Sequence, residues 1–189
     1  YSLASNEDWS CSQGAMEINA YGADAACNDW LITPGFNPRD YNDEILIFET
    51  WTEYNDSYYP PLEVKYSTDY TAGTDPSAAS WYPLAATLSP ENSTTWTHSG
   101  EVDLSQIDAE QVFVAFNYTS SGTGGGSSAW WKVDNVSIEG TINQDQFPVI
   151  DSLFHEPQSP DEFDSLDVFA SISDDHGINS VVLNWGTTS

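Results

Sequence analysis

The chain has 189 residues, with 30 acids against three basic side chains and a formal charge of −27. Its aromatics (8 Trp, 10 Tyr, 8 Phe) are numerous enough to build a core, which excludes a disordered acidic tail. A charge of that sign repels phosphate backbones and anionic lipid, so nucleic-acid binding by this chain alone is excluded too.

Helical signals are scarce, and short segments rich in Val, Ile, Tyr, Phe and Thr recur between Gly, Pro, Asn and Ser clusters. "AMEINAYG" (15–22) alternates Met16, Ile18 and Ala20 on one face. "EILIFETW" (44–51) is apolar on both faces, as a central strand would be. "LEVKYST" (62–68) sets Leu62, Val64 and Tyr66 against Glu63, Lys65 and Ser67. "QVFVAFNYTS" (111–120) groups Val112, Val114, Phe116 and Tyr118, and "WWKVDNVSIEG" (130–140) closes the series.

Prolines in "TPGFNPRDYND" (33–43) and "YYPPLE" (58–63) end or delay pairing, and "SSGTGGGSS" (120–128) reads as a flexible loop. Many short strands without intervening helices predict an antiparallel β-sandwich. "TINQDQFPVI" (141–150) reads as a linker, so residues 1–143 form the sandwich and residues 144–189 a second module. The second part supplies roughly three strands, too few to bury both faces. Either the chain is a fragment or a neighbouring chain shares strands with it.

Cys11 and Cys27, with no Cys or His cluster near them, read as a disulfide rather than a zinc site. No stretch is apolar for long enough to span a bilayer, so membrane insertion is not expected. No secretory signal stands at Tyr1, and a secreted protein would be mature or a fragment here. Asn-x-Ser/Thr sequons occur at Asn55, Asn92, Asn117 and Asn135.

The order of motifs is informative: "NDWLITPGF", "LIFET", "LEVKYSTDYTAGTDPSAASWYPL", "WTHSGEVDLS", "VFVAFNYTSSG" and "WWKVDNVSIEG". This run, over roughly residues 5 to 140, resembles the choice-of-anchor J and cleaved adhesin group of modules, distant relatives of MAM domains. The resemblance implies a jelly-roll β-sandwich, usually calcium-binding, in secreted or surface multidomain proteins of bacteria. Such modules act in adhesion or accompany nucleases, peptidases and other hydrolases. "PVIDSLFHEP" to "VVLNW" looks like the first half of an immunoglobulin-like repeat.

Strict alternation puts Asp134 on the face of Val136 and Ile138. A carboxylate beside core positions must be paired, hydrogen-bonded or bound to a cation. The resemblance makes Asp134, in its "W-x-V-D-N-V" pattern, a calcium ligand; a cap on a bulge or turn at the sheet rim is the alternative. Asp29 in "CNDWLITP" and Glu49 in "LIFETW" are the next metal candidates, each bordering or interrupting an apolar strand. "DYNDE" (40–44) lacks the glycine and terminal glutamate of an EF-hand loop.

No Gly-x-Ser-x-Gly elbow, His-Glu-x-x-His helix or phosphate-cradling loop is present, and His98, His155 and His176 lie in turn-like contexts. The expectation is a non-catalytic chain. Trp51, Tyr54, Tyr58, Tyr59, Trp130 and Trp131 fall in or beside loops. Of these, Trp51 and Trp131 are assigned to the core, and Tyr54, Tyr58 and Tyr59 to an exposed surface for a protein or carbohydrate ligand. The sugar reading rests on fold analogy. Together these features point to a calcium-stabilised extracellular or cell-surface module for adhesion or substrate targeting. A fibre subunit completed by a neighbouring chain, and an accessory domain of a secreted hydrolase, are the alternatives.

Overall fold

A computed structural model describes the chain except for residues 55, 144–147, 162, 175–176, 179 and 183–189. His176 and the sequon asparagine Asn55 therefore lie outside the described residues. The chain forms two compact units, Tyr1–Asn143 and Gln144–Ser189.

The first unit is built from β1 (Ser10–Ser12), β2 (Ala15–Asn19), β3 (Asn28–Ile32), β4 (Tyr41–Glu53), β5 (Leu62–Ser67), β6 (Tyr82–Pro83), β7 (Thr97–His98), β8 (Val102–Asp103), β9 (Phe113–Thr119) and β10 (Trp130–Ile142). One sheet runs β1-β2-β10-β4-β7, with β8 also pairing β4; the other runs β3-β9-β5-β6. All pairings are antiparallel. Successive strands from β2 to β5 alternate between the sheets, as do β8, β9 and β10, so the chain wraps two facing layers in jelly-roll fashion.

Period-two alternation sorts the side chains. Leu46 and Phe48 of β4, Leu62 and Val64 of β5, Val114, Phe116 and Tyr118 of β9, and Trp131 and Val133 of β10 all face one core. Phe48 and Phe116 meet edge to face across it, with ring centroids 5.0 Å apart. Burial of each such side chain contributes about 1.5–3 kcal/mol. Short 3-10 turns begin at Pro38 and Pro76, where Asn37 and Asp75 accept hydrogen bonds from the backbone of Arg39 and Ser77.

The glycine-rich segment after β9 is not a loose linker. Gly122 N–H donates to Ser127 O at 2.9 Å, Gly124 N–H to Ser127 Oγ at 3.1 Å, and Ser128 Oγ–H to Gly124 O at 3.0 Å. Those bonds curl it into a closed turn.

In the second unit, β11 (Val149–Glu156) pairs only with β12 (Asp167–Ser173) among the described residues. Phe154 stacks on Phe169 at 5.0 Å, while Val149, Ile150, Leu153 and Val168 stay exposed. A two-stranded sheet has too little surface to bury both faces.

Candidate functional site

Three loops meet at one end of the sandwich: residues 20–27 between β2 and β3, 54–61 between β4 and β5, and 120–129 between β9 and β10. Gly22 N–H donates to Thr123 O at 2.9 Å, joining the first to the third. Asp56 joins the second to the third. Its buried carboxylate accepts from Ser121 Oγ–H at 2.6 Å and Tyr58 N–H at 2.9 Å, and Ser57 N–H donates to Gly126 O at 3.2 Å. A charge-assisted bond of that length is among the stronger ones available to a loop.

The loops frame a cleft of about 530 Å³, with Tyr21, Tyr54 and Trp130 as its aromatic lining. Gly125 and Gly126 offer bare backbone, and Asn19 and Ser128 supply an amide and a hydroxyl. Asn19 Oδ1 accepts from Tyr21 N–H at 2.9 Å, which sets the turn carrying that ring. Tyr21 and Tyr54 are largely exposed, so their flat faces are open to a ligand. A shallower depression of about 200 Å³ shares Asn19 and Trp130 and brings in Glu7, Asp8 and Glu17.

Trp130 is held from the sheet side. Lys132 Nζ lies 4.3 Å from its ring centroid and 5.0 Å from that of Trp51, with Glu17 Oε2 at 3.4 Å from the ammonium. The two indoles meet edge to face at 5.1 Å. Trp51 thus belongs to the outer face of the sheet, half-buried, and not to the core, whereas Trp131 is fully buried as expected.

Of the three tyrosines read as ligand-binding, Tyr54 lines the cleft and Tyr58 is exposed nearby in sequence. Tyr59 serves the fold: its hydroxyl donates to Ser89 O at 2.8 Å and its ring stacks on Trp131 at 6.4 Å. Tyr21, Asn19 and the glycine pair were missed because no local pattern brings three distant segments together; the glycine cluster was the one available signal.

The metal candidates separate. Asp134 does not share a face with Val136 and Ile138. The β4–β10 register shifts between Asp134 and Ser137, and Asn135 takes φ 52° there, so a bulge reverses the alternation. Asp134 therefore faces outward opposite Glu49, and one residue serves both acids. Asn135 N–H donates to Asp134 Oδ1 at 2.7 Å, and Asn135 Nδ2 donates to Glu49 Oε2 at 2.6 Å. The two bonds tie β10 to β4 at the bulge.

Asp29 is the carboxylate that lies on the core face. It sits opposite Tyr118, between Cys27 and Leu31 on the inward side of β3, and it is fully buried. Neither carboxylate oxygen has a hydrogen-bond donor in good geometry among the described residues. Burial pushes its carboxyl above the usual range; the Ser2 hydroxyl and Cys27 thiol, close by, pull the other way, and Asp8 adds repulsion. The described residues contain no group of three or more His, Cys, Asp or Glu placed to share a metal ion. An orphaned buried carboxylate nevertheless fits a hard cation whose other ligands are carbonyl or water oxygens.

The expected Cys11–Cys27 disulfide is absent. Cys11 is exposed on edge strand β1, whereas Cys27 points into the core, 3.1 Å from Ser5 Oγ, and both thiols are free. Opposite environments hold the two side chains, and burial pushes the Cys27 thiol up to about 11. His98 pairs with Glu49 across β7 and β4, its Nδ1 accepting from Gly100 N–H at 3.0 Å, and His155 Nδ1 lies 2.9 Å from Pro157 O. Asn117, in another sequon, is buried and its Nδ2 donates to Asn28 Oδ1 at 3.0 Å.

No family model matches the chain, and no curated protein matches it. Among solved structures it is similar to the K3 cleaved adhesin domain of Lys-gingipain from Porphyromonas gingivalis. The two are 20% identical with a TM-score of 0.42, over 71% of this chain and 85% of that one. At that distance the neighbour says nothing of ligand or partner. No helix among the described residues is long and apolar enough to cross a membrane.

Proposed function

We propose that the first unit is a non-catalytic recognition module of a secreted or cell-surface protein, serving adhesion or substrate targeting through the Tyr21–Tyr54–Trp130 cleft. One observation carries this reading: exposed aromatic faces, bare glycine backbone and a few polar groups converge on a cleft whose loops are tied by Asp56. Rings with polar neighbours and a pre-organised frame suit either a protein segment or a sugar face. Binding to immobilised chain, screened over glycans and extracellular proteins, tests it. Ligands of the cleft should lose most of their affinity to Tyr21→Ala and Tyr54→Ala, and a ligand indifferent to both would refute the assignment.

The calcium reading moves to Asp29. The support is its burial with both oxygens unpartnered, in a chain with far more acids than bases. When bound, the cation would neutralise a carboxylate that the core cannot solvate, stabilising the β3 edge and the first residues that pair with it at Ser2. The fibre-subunit alternative draws on the exposed apolar residues of β11 and β12, and a monomer in a size measurement would count against it.

A further inference from the structure

We infer that the cleft takes a cationic side chain, so that its ligand is a basic, arginine- or lysine-bearing protein segment. This deepens, and rests on, the reading of the cleft as the recognition site.

The aromatic cleft and the acidic depression share Asn19 and Trp130. A single extended side chain can therefore lay its apolar stem on the Tyr21 and Tyr54 rings and present its charged head to Glu7 and Asp8. The chain already performs this chemistry on itself. Lys132 stands over Trp130 with its ammonium paired to Glu17, and on the other sheet Lys65 stands 5.3 Å from the centroid of Trp30 while paired to Glu63.

Of the acids at the depression, Glu17 is paired with Lys132 and Asp8 lies 3.5 Å from the Tyr1 ammonium, which leaves Glu7 without a cationic partner among the described residues. Arg39 bonds Asp108 and Glu110, Lys65 bonds Glu63 and Lys132 bonds Glu17, which accounts for all three basic side chains. Glu7 and Asp8 bring negative charge to the depression, and a formal charge of −27 attracts basic partners from a distance while repelling acidic ones. A neutral sugar would use the rings and donate hydroxyl hydrogen bonds to these carboxylates, but only a cationic ligand gains the long-range attraction of the net charge.

The test titrates the full chain with a short Gly-Arg repeat peptide, a Gly-Ser repeat of the same length and a neutral cello-oligosaccharide, at low salt and in about 0.5 M NaCl. The Gly-Arg peptide should bind and the Gly-Ser peptide should not. Tyr54→Ala should weaken binding about tenfold, and the Glu7→Gln/Asp8→Asn double variant by about three- to tenfold, with melting curves confirming that each variant is folded. Sugar binding that is lost in Tyr54→Ala, with no peptide binding, overturns the cationic inference and leaves the cleft reading standing. Peptide binding that salt abolishes but Tyr21→Ala and Tyr54→Ala do not affect is diffuse attraction and overturns both. Failure of the Gly-Arg peptide to bind at low salt also overturns the inference.

Discussion

Asp56 and Ser121, 65 positions apart in the chain, are joined by a hydrogen bond of 2.6 Å that closes one side of the cleft. Asp56 is buried and also accepts from Tyr58 N–H, so its removal strands several donors at once. Asp56→Ala should cost about 2–3 kcal/mol in chemical denaturation. At temperatures where the variant stays folded, affinity for any cleft ligand should fall as well, because Tyr54 and the glycine turn lose their common anchor. Unchanged affinity in a folded Asp56→Ala protein would separate the loops from recognition.

Asp29 makes stability depend on pH in a definite direction. Its folded carboxyl titrates above the ordinary 3.8, so the folded state holds a proton that the unfolded state releases. Its favourable contribution is therefore fully present below about 3.8 and is lost as pH rises through the folded value. In metal-free buffer, Asp29→Asn should stabilise the protein at neutral pH by about 1–3 kcal/mol and flatten this part of the pH profile. Melting temperatures of wild type and variant across pH check both points.

Calcium offers a second readout at the same residue. Addition should raise the wild-type melting temperature and chelation should reverse the rise, as ligand linkage requires. Asp29→Asn should abolish the response, whereas Asp134→Asn should keep it, since Asp134 is engaged with the Asn135 backbone. A response lost in Asp134→Asn and kept in Asp29→Asn would return the site to the bulge.

The two thiols should differ sharply in reactivity. Exposed Cys11 should be alkylated quickly in the native protein, and Cys27 only on unfolding, because it is buried and its thiolate is scarce with a titration point near 11. A reductant should leave the melting temperature unchanged, whereas breaking a disulfide around a loop of this length would cost about 3 kcal/mol. Mass spectrometry after alkylation with and without denaturant decides the matter.

Asn135 holds the bulge through a left-handed backbone, φ 52°, and through its side-chain bond to Glu49. Asn135→Gly should be tolerated, with a loss near 1 kcal/mol from the missing hydrogen bond. Asn135→Val, which loses the bond and resists that backbone conformation, should cost about 2–3 kcal/mol. Equal costs for the two would mean the bulge does not depend on the backbone at this position.

Alternation along the strands was legible in the residues themselves. Val112, Val114, Phe116 and Tyr118 share a buried face, as do Leu62 and Val64, because successive side chains of an extended backbone must point to opposite sides. The sandwich followed from that regularity. The surplus of acids was equally plain, and with it the need for solvent, metal or a basic partner.

What only the folded molecule decided are the places where alternation breaks or where distant segments meet. A bulge at Asn135 put Ile138 on the core side while Asp134 stayed on the outer face, and such an irregularity is defined by the partner strand, not by the strand that carries it. Whether Cys11 and Cys27 bond depended on their surroundings, one thiol being exposed on an edge strand and the other buried in the core. The cleft required residues 19–21, 54 and 125–130 to converge, and local patterns hold no information on which loops share one end of a sandwich.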